Sequence, residues 1–326
     1  MRLMPYRKII IPLGLVLITG CDQTEPLPKD IIKNMVFVQG GTFEMGDICL
    51  KKYGQPCTFA NEGASFPVHT VTLDSFYMAK YKVTYKDYDF YTSQRKLPNL
   101  KISKNWLDSY PKVRNENLPA TANWQLSQDY CHWLGEKTGL PFDLPTEAQW
   151  EYAARNRGQD IIYSTSSGHF SPGSTVPTSD QVQKFSGYYS GLYPVGKFPP
   201  TPLGLYDMTG NGQEWVRDWF SRTYYQQSTK INPSGPTEGT EKVLRGMLAG
   251  DSRIEDKTPS ATTLFRTGRE PLLKKTSLEL LNKYNWDHVK ADAADKETDP
   301  YKIAERGFYP DVTFRCVINV QSLPQK

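Results

Sequence analysis

The chain has 326 residues, with 39 lysines and arginines against 35 aspartates and glutamates. Three of the positive side chains lie in the first 20 residues, so the remainder is close to neutral and lacks the basic character of a nucleic-acid-binding protein. An apolar fraction of 38% and an aromatic fraction of 13% exclude a disordered chain and indicate one large or two ordinary globular domains.

The N-terminus has the three parts of a bacterial lipoprotein signal peptide over residues 1–20. Arg2, Arg7 and Lys8 precede an apolar stretch that is too short for a membrane span of ~20 residues. Small residues then stand directly before Cys21 in the string ITGC. We therefore expect cleavage before Cys21 and its lipidation with palmitate-type acyl chains, which anchor the exported protein in a membrane. A simple secretory leader with an incidental cysteine is the alternative.

Asp22 follows the predicted lipidation site directly. In enteric-type bacteria, an aspartate at this place resembles the signal that keeps lipoproteins in the inner membrane. The sequence thus predicts an envelope protein that faces the periplasm from the inner membrane. Residues 21–34 contain two prolines and several charges, and we interpret them as a tether to the domain.

Short strands are predicted early in the mature chain. Residues 35–38 are an apolar run, residues 68–73 alternate between apolar and polar, and residues 76–83 form a second β-rich run. Residues 84–87, with the string TYKD, predict the start of a helix.

Two helices have the clearest patterns in the chain. One is predicted from near Trp124 to Lys137, ending at Gly139. The other begins with a capping box, in which Thr146 caps the helix and Gln149 reaches back, and it is expected to end around residues 157–158. From there to the C-terminus, short runs separated by Pro, Gly and Ser give only weak periodicity.

Residues 270–312, with a charged stretch from Asp287 to Glu305, resemble an insertion that packs on the domain or projects from it. Within it, residues 277–284 (SLELLNKY) predict a short helix.

Four cysteines remain once Cys21 is set aside as the anchor. An even number in an oxidising compartment indicates two disulfides, and three pairings are possible. Cys49 and Cys57 are separated by a short loop-like string, so we pair them with each other, which leaves Cys131 with Cys316. No CxxC or Cys/His cluster suggests zinc.

Six strings, in order along the chain, resemble the formylglycine-generating enzyme family, whose domain is also called the sulfatase-modifying factor domain. The resemblance covers residues 35–320, nearly the whole mature chain. The strings are MVFVQGGTFEMG (35–46), PVHTVTLDSFYMAKYKVT (67–84), DLPTEAQWEYAAR (143–155), PVGKFPPTPLGLYDMTGNGQEWVRDW (194–219), VLRG (243–246) and TFRCV (313–317).

This resemblance implies a single α+β domain, distantly related to C-type lectins and poor in regular secondary structure. It also supports the Cys131–Cys316 pairing, because the family often bridges the cysteine before its LPTE helix to the cysteine of its C-terminal motif. The fold does not fix the function, since the family includes copper-dependent oxidases, iron-dependent sulfoxide synthases and proteins without known chemistry.

The oxidases of the family use two cysteines shortly after an RGGS motif. The matching segments here, residues 245–251 and 261–267, contain none, and Asp251 and Thr262 stand roughly at the matching places. Because a thiolate binds Cu(I) and exchanges with a substrate thiol, whereas hard oxygen groups do neither, we expect no copper and assign no catalytic residue.

The iron-dependent branch needs a set of histidines, partly supplied by a second helical domain. This chain has four histidines, without an HxxxH pair, and we interpret them as surface or locally hydrogen-bonded side chains rather than iron ligands: His69, His132, His169 and His288.

Calcium is the metal that the resemblance implies. The family binds a structural calcium through its GLYxxxGNxxEW string, and the matching residues are Asp207, Gly210, Gly212 and Glu214. Two carboxylates with backbone carbonyls in a Gly-rich loop suit a hard cation. A capped turn without metal is the alternative.

Trp215 and Trp219 are interpreted as core residues. Arg245, Arg266, Arg269 and Arg315 are interpreted as ion-paired rather than anion-binding.

The retained motifs and missing cysteines favour a non-catalytic periplasmic protein that binds a protein partner, with the 270–312 insertion as the expected interface. Lipoproteins of this kind sometimes resemble immunity proteins against secreted envelope toxins, such as type VI lipase effectors, which makes a toxin a candidate partner. The alternatives are a metal-dependent oxidoreductase with a rewired site, and a structural or glycan-binding envelope lipoprotein.

Overall fold

The computed structural model of the chain describes residues 30–58, 63–100, 102, 104–188, 191–247, 261–272 and 311–323. The predicted leader, Cys21, Asp22, His288 and the helix expected at residues 277–284 lie outside these ranges. Within them, no helix is long and apolar enough to cross a membrane.

Helices and short strands alternate along the described residues in an α+β arrangement. The elements are α1 (Asp30–Lys33), β1 (Met35–Val38), β2 (Gly41–Met45), α2 (Cys49–Tyr53), β3 (His69–Leu73), β4 (Phe76–Ala79), α3 (Tyr85–Arg95), α4 (Lys104–Ser109), α5 (Trp124–Thr138), β5 (Phe142–Asp143), α6 (Glu147–Ala154), α7 (Ser179–Ser186), β6 (Gln213–Trp219), β7 (Lys242–Arg245), β8 (Arg266–Arg269), β9 (Val312–Thr313) and β10 (Val317–Ile318), with 3-10 turns at Pro111–Arg114 and Tyr224–Gln226.

Helix α5 confirms the first helix prediction. The Asn123 side chain accepts a hydrogen bond from the backbone N–H of Leu126 and caps its start. Gly139 ends it in the left-handed conformation, with φ of 70°, which a residue without a Cβ adopts at little cost.

Helix α6 has the predicted capping box, since Thr146 and Gln149 exchange side-chain and backbone hydrogen bonds. It ends at Ala154, however, earlier than the expected end at residues 157–158. Asn156 and Arg157 have φ values of 48° and 65°, which a right-handed helix does not accommodate.

Two other expectations need correction. The β-rich run over residues 76–83 forms a strand only as far as Ala79, because the chain then leaves the sheet and carries Lys82 into the interior. Helix α7 lies in a region where we expected little regular structure, although its capping box of Thr178 and Gln181 is a recognisable signal.

The last strands of the chain connect two sheets. One sheet has the order β1-β4-β10-β5, and the other has the order β8-β7-β6-β9, in which β9 runs parallel to β6. A two-stranded ribbon of β2 and β3 completes the strand pairing. Residues 312–318 therefore pass from one sheet to the other, and β10 lies between β4 and β5 rather than at an edge.

Aromatic side chains dominate the core beneath the first sheet. Tyr88 and Tyr130 stack with ring centroids 5.7 Å apart, and Phe314 packs edge-on against both rings. Trp215 is fully buried in the same cluster and donates its indole N–H to the Ala122 carbonyl at 2.8 Å, which confirms its assignment to the core.

Both predicted disulfides are present. Cys49 bonds Cys57, with their Cα atoms 5.6 Å apart, and Cys131 bonds Cys316, with their Cα atoms 5.7 Å apart. The first closes a loop of 8 residues, whereas the second joins α5 to the segment between β9 and β10 across 185 residues.

The difference in loop length predicts a difference in stabilisation. In the chain-entropy model, Cys131→Ser with Cys316→Ser should lower the free energy of unfolding by about 5 kcal/mol, and Cys49→Ser with Cys57→Ser by about 2–3 kcal/mol. Urea unfolding of the wild-type chain and the two double variants measures both values. Equal losses in the two variants would contradict this ranking.

Candidate functional site

A buried network of ion pairs lies where α6 meets the second sheet. Arg245 bonds Glu147 at 2.9 Å and Glu151 at 2.8 Å, and Arg266 bonds both carboxylate oxygens of Glu147, at 2.5 and 2.8 Å. Arg155 bonds the other oxygen of Glu151 at 2.9 Å. All five side chains are almost completely buried, so the pairs are shielded from water.

This network fixes the ends of the segments that match the oxidase cysteines. Arg245 also donates to the carbonyl of Thr263 at 2.5 Å, and Arg266 donates to the carbonyls of Ala64 and Ser221, both at 2.9 Å. The interpretation of these arginines as ion-paired framework residues is therefore confirmed. Arg315 pairs with Glu214, and Arg269 with Asp311 at 3.2 Å.

The framework does not carry a thiol where the oxidases have theirs. Thr262 is buried, and Asp251 lies outside the described residues. Four of the five cysteines of the chain are joined in disulfides, and the fifth is Cys21. The segments around Arg245 and Arg266 thus offer hydroxyl and carboxyl groups and the buried thioether of Met247, but no thiol that could bind Cu(I) as a thiolate.

Burial and charge act in opposite directions on the carboxylates of the network. Burial alone would raise the pKa of Glu147, but Arg266 and Arg245 outweigh it and hold that pKa below its usual value. For Asp218 the opposing effects, a hydrogen bond from the Glu147 N–H and the charges of Arg217 and Arg266, are too small to offset burial. Burial, assisted by the negative charge of Glu147, raises the pKa of Asp218 to about 7, and its carboxyl accepts the backbone N–H of Glu147 at 3.0 Å.

The loop expected to hold calcium lies directly before β6 and at its start. Glu214 is fully buried and Asp207 is half-buried, and Gly212 has a φ of 92°, at which a residue with a Cβ would be strained. Asp207 accepts the backbone N–H of Gly196 at 3.0 Å, and burial together with the charge of Asp207 raises the pKa of the Tyr193 hydroxyl. A Cβ added at Gly210 would lie 3.6 Å from that hydroxyl.

Cations of the protein already bind the Glu214 carboxylate and two backbone carbonyls of this loop. Arg315 donates to both oxygens of Glu214, at 2.7 and 2.9 Å. The Lys82 ammonium donates to the carbonyls of Asn211 at 3.2 Å and Gly212 at 2.5 Å, and it lies 3.4 Å from Glu214. The residues Asp207, Gly210, Gly212 and Glu214 therefore do not fit a calcium ion as they stand, because that ion needs six to eight free oxygen ligands.

Sequence reasoning missed Lys82 as a member of this group. It stands in a run of strand-like residues, and nothing in its local pattern signals that it is buried. Burial lowers its pKa to about 8, against the opposing effect of Glu214, so the side chain remains mostly protonated at neutral pH.

A second group of potential metal ligands lies at α2. Within the described ranges, ligand atoms of Asp47, Cys49 and Cys57 come within 4.8 Å of one another. The sulfurs are joined in a disulfide, and the Asp47 carboxylate accepts three backbone N–H groups and the Thr58 hydroxyl. This carboxylate therefore organises the loop around the disulfide.

The described histidines lie on different elements and take part in no such group of three. His69 bonds the Pro67 carbonyl and packs on Tyr225, with ring centroids 4.6 Å apart. His132 lies 3.2 Å from Asp143 at the surface, and His169 is located in a separate loop. Local contacts account for His69 and His132, as the sequence predicted.

Helix α2 presents two apolar side chains to solvent. Leu50 is 50% exposed and Tyr53 is 54% exposed, although neighbouring residues of the same helix are held by the Cys49–Cys57 bond. Exposed apolar groups on a covalently held element are available for contact with another protein.

The raised pKa of Asp218 predicts a pH dependence of stability. The folded protein keeps the proton of Asp218 up to about pH 7, whereas the unfolded chain releases it near pH 4. The stabilisation from this proton is therefore complete below pH 4 and is lost as the pH rises to 7. The free energy of unfolding of the wild type, minus that of Asp218→Asn, should fall by about 4 kcal/mol over this interval.

Urea unfolding at a series of pH values measures this difference. The exposed Asp180 is the matched control, and Asp180→Asn should give a difference that does not vary in this way. A constant difference for Asp218→Asn would show that the carboxyl titrates normally in the folded protein.

Comparison with known proteins places the chain in a family. Residues 22–271 match the family described as the sulfatase-modifying factor enzyme 1-like domain. The formylglycine-generating enzyme of Thermomonospora curvata is 27% identical over 308 residues, which cover 75% of this chain and 96% of that enzyme. The inactive C-alpha-formylglycine-generating enzyme 2 of Mus musculus is 29% identical over 282 residues, which cover 73% of this chain and 81% of that protein.

Other relatives share only part of their length or only the fold. The chain spans about a third (34%) of a Chlamydia pneumoniae protein described as a serine/threonine-protein kinase. The structure of PvdO from Pseudomonas aeruginosa superimposes with a TM-score of 0.59 at 21% identity, over 88% of this chain and 94% of PvdO. With a match over 250 residues and this shared fold, the chain belongs to the sulfatase-modifying factor enzyme 1-like family.

Proposed function

We propose that this protein is a membrane-anchored envelope lipoprotein that uses its sulfatase-modifying factor domain to bind a protein partner rather than to oxidise cysteine. In the narrower form of the proposal, it is an immunity protein, and its partner is a secreted toxin that attacks the envelope, such as a type VI lipase effector.

The main support for this proposal is the position of the cysteines. Copper-dependent oxidation in this family needs two thiols near the groove, and here every cysteine has another place: two disulfides and the predicted lipid anchor at Cys21. Oxygen groups such as the hydroxyl of Thr262 neither bind Cu(I) well nor exchange with a substrate thiol.

The intact framework supports binding as the retained activity. The buried ion pairs of Glu147 and Glu151 hold the same segments that an oxidase would have to position, so the fold has been kept without the reactive groups. A relative of similar length, from mouse, is described as an inactive formylglycine-generating enzyme. Loss of catalysis with retention of this domain therefore has a parallel.

The N-terminal pattern supports the membrane anchor. Cys21→Ser should move the protein from the membrane to the soluble fraction and abolish the incorporation of labelled palmitate, because serine cannot form the thioether to the lipid. Membrane fractionation and radiolabelling measure both effects.

Asp22→Ser is the matched control for the destination of the lipoprotein. It should keep the lipid but transfer the protein to the outer membrane of an enteric-type host, which a sucrose gradient resolves. A Cys21→Ser protein that stays with the membrane and still takes up label would refute the anchor.

The partner is tested by affinity capture from native envelopes. We expect the tagged full chain, solubilised in mild detergent, to retain one protein in about a 1:1 ratio, identified by mass spectrometry. If the retained protein is an enzyme that degrades the envelope, the immunity role is established. A chain that elutes alone and converts a cysteine peptide to its aldehyde would establish the oxidoreductase alternative instead.

Replacement of residues 273–310, which lie outside the described ranges, tests the predicted interface. Arg269 and Asp311 bond each other at 3.2 Å, so the chain ends on either side lie close and a short Gly-Ser linker can join them. The linker variant should lose the partner and keep its thermal stability. Leu50→Ser with Tyr53→Ser is the control at another exposed surface, and undiminished capture by the linker variant would place the interface elsewhere.

A further inference from the structure

The ammonium of Lys82 lies among the groups that the family resemblance gives to calcium, and it contacts two of them, the Gly212 carbonyl and the Glu214 carboxylate. It donates to the carbonyls of Asn211 at 3.2 Å and Gly212 at 2.5 Å, and it forms an ion pair with Glu214 at 3.4 Å. The side chain is 1% exposed, and water cannot take the place of these partners.

The backbone on both sides of Lys82 holds the side chain in this direction. The N–H of Val83 donates to the Phe314 carbonyl at 3.0 Å, and the Lys80 carbonyl accepts the N–H of Tyr206 at 3.0 Å. These bonds tie the segment to the C-terminal strands on one side and to the Asp207 loop on the other. The backbone that carries Lys82 is thus held on both sides of this residue.

The balance of charges around the loop also opposes the binding of a metal ion. The two carboxylates of Asp207 and Glu214 face two protein cations, Lys82 and Arg315, so the group is neutral when all four are ionised. A calcium ion added to it would leave two uncompensated positive charges in a buried site. Burial of unpaired charge is strongly unfavourable, so ammonium and calcium exclude each other here.

We propose that Lys82 is a built-in replacement for the structural calcium of this fold: its ammonium bonds the 211–212 carbonyls and Glu214, so that the 207–214 loop folds without a metal ion. A point charge on a flexible stem suits this role, because it satisfies carbonyls of a loop and a carboxylate at once.

Thermal unfolding of the full chain, purified from membranes in detergent and stripped with EDTA, tests the proposal. Millimolar calcium should leave the Tm of the wild type unchanged. Lys82→Ala should lower the Tm in EDTA by roughly 5–15 °C, because Glu214 keeps Arg315 but loses its second cation, and the carbonyls of residues 211 and 212 lose their donor. Calcium should restore much of this loss by entering the space, and magnesium should not, because it demands a smaller octahedral cage.

Lys82→Met is the matched control, since it fills the same space without a charge. It should lower the Tm as well but gain nothing from calcium. The proposal is overturned if Lys82→Ala unfolds at the wild-type temperature, or if its Tm is indifferent to calcium.

A second measurement does not depend on the folding of a lysine variant. Equilibrium dialysis with radioactive calcium compares the wild type with Asp207→Gly, which removes the carboxylate at a residue with φ of 58° that glycine accepts. One calcium bound by the wild type and lost in Asp207→Gly would overturn the proposal. Equal binding by the two proteins would support it.

Discussion

Loop backbone that runs through a protein interior must find donors for its carbonyl groups, and in this fold buried cations supply them. Arg315 donates to the carbonyls of residues 79, 80 and 206, Arg266 to those of residues 64 and 221, and Lys82 to those of residues 211 and 212. Each cation is also paired with a buried carboxylate, so its own charge is compensated. A domain with so little regular secondary structure depends on these groups, because few ladder bonds are available to its loops.

The same arrangement separates the buried framework from the segments that carry the reactive thiols in the oxidases of the family. The ion pairs of Glu147 and Glu151 lie in the core. The thiols of the oxidases belong to the segments that these ion pairs hold in place. Replacement of a thiol therefore leaves the supports untouched. The framework and the reactive groups are separable parts of the domain. The arginines in the sequence indicate that the framework is present, but they do not indicate whether the reactive groups are.

The sequence predicts those parts of the molecule that local pattern determines. The capped starts of α5 and α6 follow from residues within one turn, and the disulfide pairing follows from spacing and from the family resemblance. The early end of α6 depends on the backbone conformation of Asn156 and Arg157, which composition does not reveal. Lys82 was missed for a related reason: its partners are about 130 residues away, and only the folded chain brings them to its ammonium.

The central position of β10 has a consequence for the order of assembly. Ribosomes deliver residues 317–318 long after β4 and β5, yet these residues occupy the space between those strands, so the first sheet stays incomplete until the chain has been synthesised as far as Ile318. Cys131 must likewise wait for Cys316, while the thiols of Cys49 and Cys57 are already present. Early closure of the short Cys49–Cys57 loop removes both competitors, and the nascent chain then has a single correct oxidation left to make.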